Sequence, residues 1–227
     1  MQFLENSIIG LRAARHVLTH PDRAETITLF PMVHLGEAAF YDGVFADAAQ
    51  NDAVLIEGVS SPISKRLTAS YRWAATRRLG LIVQPKFISQ ATRVIHADLP
   101  GAEFDALWRA GSRRERMVFE AACLGLGLWL RLMATRENLA RGLSTDDLTD
   151  RDDILVWNRG RAPLLHALKA ARDAVLCRSL TDLLSEPQSP RTIAVIYGAG
   201  HMPALVRALD AEGFQVTQSE WLTVFES

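Results

Sequence analysis

A chain of 227 residues with 48% hydrophobic and 22% charged side chains can bury one sizeable core, and its composition excludes extensive disorder. Its 25 basic and 26 acidic residues nearly cancel, so no overall field recruits polyanions and nucleic acid is not an expected partner. Two cysteines, Cys123 and Cys177, exclude a disulfide framework; with an N-terminus that carries Glu5 early and sustains no apolar run of signal-peptide length, they predict a reduced, cytoplasmic setting.

In chain order, the first strong strand signal is TITLFPMV, residues 26–33, followed by GEAAFYDGVFADAAQ with apolar residues at helical spacing. DAVLIEGV, 52–59, reads as a second buried strand, and a helical pattern returns from Ser64 to Arg78. GLIVQP, 80–85, predicts a short strand stopped by Pro85, which has no N–H for a ladder, and TRVIHADL, 92–99, predicts another. From 102 to 180 the pattern is mostly helical, with segments near 103–110, 113–134 and 150–180 and a polar break, RENLARGLSTDD. Within it, VFEAACLGLGLWLRLM, 118–133, is interrupted by Glu120 and Arg131; it is too short for a membrane span and predicts a buried helix. LSEPQSPR, 184–191, is a loop by its prolines and serines; TIAVIYG is a strand, 201–212 a helix, and GFQVTQSEWLTVF a closing strand or hairpin. The alternation predicts a single α/β domain over 1–227, with a largely parallel sheet, helices on both faces, and the helical segment 102–180 as a cap or insertion.

In such a sheet, ligands bind beyond the carboxyl ends of the strands, where this sequence places His34, Glu57, Gln84, His96, Asp98 and His201. Two imidazoles and a carboxylate, His34, His201 and Glu57, form a nitrogen and oxygen set suited to zinc, manganese or cobalt, with Glu57 as ligand or general base. Asp98 would be a further ligand or hold a histidine tautomer, and Gln84 would line the substrate side. Gly198 and Gly200 permit positive φ and close backbone approach before a helix whose first turn accepts Pro203. Pro203 also removes the last glycine of a dinucleotide-binding G-x-G-x-x-G, and no P-loop, H-E-x-x-H or G-x-S-x-G occurs. Arg151, in DRDD, is either a solvated helix start or an arginine that orients substrate and stabilises an oxyanion. His16, His20 and His166 lie in helical or loop contexts with no partner pattern.

Taken together, PMVHLGEAAFYDGV, DAVLIEGV and VIYGAGHMPAL resemble the TraB/GumN/TIKI superfamily, whose members pair early and late G-x-x-H motifs with a glutamate after the second strand. The late motif matches at Gly198 to His201; the early one keeps His34 but has Pro31 in the glycine position. The resemblance implies an α/β fold in which His34, Glu57 and His201 cluster with Arg151 beside them. TIKI-like members imply a metal-dependent hydrolase acting on peptide or amide bonds of a small peptide or small-molecule substrate. TraB-like members imply, alternatively, a non-catalytic binding protein that sequesters a peptide or metabolite. The distantly similar erythromycin-esterase-like folds imply a third course, metal-independent hydrolysis by a His/Glu pair.

Overall fold

The computed structural model describes residues 1–73, 78–143, 145–146 and 163–227. Its strands are β1 (Gln2–Ser7), β2 (Gly10–His20), β3 (Arg23–Met32), β4 (Leu35–Gly36), β5 (Ala53–Ile56), β6 (Ile82–Val83), β7 (Arg93–His96), β8 (Thr145–Asp146), β9 (Thr192–Gly198) and β10 (Gln215–Glu226). Eight of them form one mixed sheet in the order β7-β5-β9-β3-β2-β1-β8, with β10 on β2, while β4 and β6 pair separately. Strands β7, β5, β9 and β3 are mutually parallel.

The parallel strands are buried on both faces, which is why they read as unbroken apolar runs rather than alternating ones. Alternate residues nevertheless serve different cores. Ala194 and Ile196 of β9 face Phe30, Val54 and residues of helix α1 (Ala38–Ala48). Ile193, Val195 and Tyr197 face Leu29, Leu55 and the residues Leu176, Leu180, Leu205 and Leu209, carried by the helices at Pro163–Leu184 and Met202–Ala211. Helices therefore cover both faces, as expected.

The antiparallel half of the sheet is the departure from a largely parallel design. GLRAARHVLTH has helix-forming composition, yet it is strand β2, paired with β10 over Gly10–Thr19 and with β1 and β3 over its two ends. Non-local pairing overrides local propensity there. His16 and His20 accordingly lie on a strand; His16 is buried, its Nδ1 2.8 Å from Ser219 Oγ and its Nε2 3.1 Å from the Gln2 carbonyl oxygen.

Helix α2 (Pro62–Leu67) precedes the helical middle, which contains α3 (Gly101–Ala110), α4 (Arg113–Leu132), α5 (Arg136–Gly142) and α6 (Pro163–Leu184); α7 (Met202–Ala211) follows β9. A separate cluster of Leu67, Leu99, Phe104, Trp108, Leu164 and Leu168 joins α2, α3 and α6. Helix α6 is more than a cap, because its second half is part of the sheet's own core. Nor is α4 the buried helix expected: Gly127 and Leu130 are buried, but Met117, Leu124, Leu128 and Leu132 are exposed. No helix among the described residues is long and apolar enough to cross a membrane.

Gly10 opens β2 at φ +133°, and a Cβ there would overlap the Phe225 carbonyl oxygen and come within 2.8 Å of Glu226 Cα. Gly43, in α1, faces open space. Gly10→Ala is predicted to lower stability in urea unfolding by about 3 kcal/mol, whereas Gly43→Ala raises it by about 0.5–1 kcal/mol.

Candidate functional site

Register places the predicted rim residues together. Parallel pairing aligns Ile56 with both His96 and Ile196, and Met32 with Gly198, so the chain leaves β3, β5, β7 and β9 at one end of the sheet. His34, Glu57 and Asp98 follow the first three of these strands, and Gly198 ends the fourth.

The centre of the site is a side chain that the sequence reading did not select. Arg172, on α6, donates from Nε to Asp98 Oδ1 at 2.9 Å and from Nη2 to Asp98 Oδ2 at 2.8 Å and Glu57 Oε1 at 2.5 Å. Its guanidinium lies 5.8 Å from the Tyr197 ring centre. Glu57 Oε2 accepts from the Gly198 N–H at 2.5 Å, and Asp98 also accepts from the N–H groups of Gly58 and Leu99. Burial pushes both carboxyl groups up, but for Asp98 the Arg172 hydrogen bonds and charge outweigh it and hold the pKa below its ordinary value. Glu57 is held low in the same way by the charge and hydrogen bond of Arg172.

His201 closes a 3₁₀ turn, Ala199–His201, and α7 follows with Pro203 in its first turn. The ring is buried edge-on against Tyr197, and its Nδ1 lies 2.5 Å from Asp173 Oδ1. Lys169 donates to the other Asp173 oxygen at 3.0 Å. Nε2 of His201 makes no hydrogen bond among the described residues.

His34 differs from every other member. It is open to solvent on one side, its ring is 4.5 Å from that of Tyr71, and neither ring nitrogen is hydrogen-bonded among the described residues. The protein packed around the rest of it lowers its pKa; Glu57 opposes that effect, and the positive charge of Arg172 adds to it. The imidazole is therefore neutral at pH 7.

Several expectations change. Neither Gly198 nor Gly200 has positive φ: Gly198 sits at φ −52°, ψ 134°, and the positive-φ glycines among the described residues are Gly10, Gly58, Gly80 and Gly213. Gly198 is required for close approach instead, since an added Cβ would stand 2.9 Å from Glu57 Oε2; at Gly200 it would meet nothing. Gln84 follows β6, outside the main sheet, and reaches the site only through its N–H, which donates to the His34 carbonyl oxygen at 3.0 Å. His96 is exposed on strand β7, at the end of the strand order. Arg151 lies outside the described residues. The sequence signal for the missed groups is the set Lys169, Arg172 and Asp173, spaced to share one face of a helix whose other positions are largely apolar.

Among the described residues, no group of three or more His, Cys, Asp or Glu is arranged so that it could hold a metal ion. Comparison of the chain with family models, curated proteins and solved structures gives no match.

Arg172→Met would leave the buried Asp98 and the half-buried Glu57 without their cation and is predicted to destabilise the fold by about 3 kcal/mol at pH 7. The folded-state pKa values of Glu57 and Asp98 are depressed, so their contribution is present above the ordinary carboxylate range and lost as pH falls through the folded values. The gap between native and variant stability should thus narrow below about pH 4, as urea unfolding across pH would measure.

Proposed function

We propose that the chain is a hydrolase of ester, amide or peptide bonds in small substrates, with His34 as the general base. The observation that carries this reading is the state of His34: a neutral, solvent-open imidazole with unbonded nitrogens, beside a carboxylate that is charged and held in place. His34 takes a proton from water as the water oxygen adds to the carbonyl carbon, then returns it to the leaving group as the tetrahedral intermediate collapses. Glu57 stabilises the transient imidazolium by its charge. His201 donates Nδ1–H to Asp173, which makes Nε2 an acceptor that orients the attacking water.

The resemblance to the TraB/GumN/TIKI superfamily supports a hydrolytic or binding site at these residues, and its TIKI-like branch suggests a metal. Here His34 and His201 would supply nitrogens to zinc, manganese or cobalt. Glu57 is the poor partner in that set, since Arg172 and the Gly198 N–H already occupy its two oxygens and Arg172 repels a cation. Acid-base hydrolysis without a metal is therefore the better-supported course.

On a panel of nitrophenyl esters and peptide amides, His34→Ala should lower kcat/KM by about 100-fold or more, and chelator should leave the native rate unchanged. Activity surviving in the variant overturns the role of His34. Activity lost to chelator and restored by zinc, manganese or cobalt establishes the metal course, and binding without turnover establishes a sequestering protein. Because His34 titrates below 6.5, the rising limb of kcat/KM against pH should have its midpoint below that value.

A further inference from the structure

Helix α4 lies outside the hydrolytic site and carries six of the thirteen exposed large hydrophobic side chains among the described residues. Met117, Leu124, Leu128 and Leu132 are 71%, 62%, 53% and 59% exposed. At helical spacing they fall on one side of the helix, with Ala121 and Gly125 among them, and make a stripe about 22 Å long. A continuous exposed stripe of this kind marks an interaction surface.

The charges on the same helix say what covers it. Every exposed charged residue of α4 is an arginine: Arg113 and Arg114 at one end of the stripe and Arg131 at the other. None of the three has a carboxylate partner among the described residues. The helix's two acids are engaged elsewhere, Glu115 with Ser112 and the Leu164 N–H, and Glu120 with Arg66.

A second copy of the chain is a poor occupant. A two-fold pair of antiparallel α4 helices sets Arg113 and Arg114 against Arg131 of the second copy, and a parallel pair sets each arginine against its counterpart. Like charges meet in both arrangements, and the acid of α4 on that side, Glu120, is already paired with Arg66. An anionic lipid surface meets both demands, taking the leucine and methionine side chains below the headgroups while the arginines reach back to phosphate and carboxylate groups. We propose that the exposed face of α4 docks in the plane of an anionic membrane surface.

The test is co-sedimentation of the full chain with vesicles of phosphatidylcholine alone and of equimolar phosphatidylcholine and phosphatidylserine, at low and high salt. The expected result is binding to the phosphatidylserine vesicles only, weakened by salt. Leu124→Ser should lower partitioning about tenfold, and Arg113→Gln and Arg114→Gln about fivefold each. Thermal unfolding should be unchanged in all three variants, since the side chains face solvent, which separates a lost contact from a lost fold. No binding to the phosphatidylserine vesicles, or equal binding by native chain and variants, overturns the proposal. So does light scattering that shows a dimer dissociated by Leu124→Ser.

Discussion

Arg172 is the one cation that the two carboxylates at the rim share, and much of the molecule is arranged around that fact. Desolvating three charges is costly, and their mutual attraction repays it only when the geometry is good and the remaining lone pairs are filled. Here they are filled: Asp98 takes both donors of one guanidinium edge plus two backbone N–H groups, and Glu57 takes a guanidinium donor and the Gly198 N–H. The bonds also have a mechanical result. They join α6 to the ends of β5 and β7, so the helix that packs against the sheet through Leu176, Leu180 and Leu183 is fixed in rotation as well as position.

That locking divides labour among the rim groups. A carboxylate with both oxygens committed and a depressed pKa is a fixed charge rather than a proton acceptor, so Glu57 acts on its neighbours through its field. The groups with free valence are the imidazoles. His201 is held by Asp173 on one nitrogen and offers the other; His34 is held by neither. His34 is also the member most open to solvent.

The parallel strands and the rim were legible because burial on two faces produces long apolar runs, and the chain must turn polar where each strand ends. His34, Glu57, Asp98 and His201 follow from that alone. The hairpin of β1 and β2 was not legible, because Ala, Arg and Leu in GLRAARHVLTH satisfy a helix as well as a strand and only pairing with β10, 200 residues away, decides between them. Arg172 and Asp173 were hidden for a different reason. Charged residues inside a helical pattern ordinarily mark its solvated face, and nothing local reveals that this face turns toward the sheet's end. Arg151 drew attention instead because it stood beside a helix-start signal.

The two stretches that end in His34 and His201 carry different physical demands, and a proline is compatible with only the first. Pro31 lies in β3 beyond Leu29, where the β2 ladder ends, so its missing N–H withdraws no donor from that partner. His34 comes three residues later and is held by its own backbone contact with Gln84, which does not depend on the residue at 31. At the late motif the glycine is a direct neighbour of the Glu57 carboxylate. Its N–H fills the last oxygen of Glu57, and its hydrogen in place of a side chain is what lets that oxygen approach. A proline there would remove the donor and bring in the clash together, so the early motif tolerates a substitution that the late one does not.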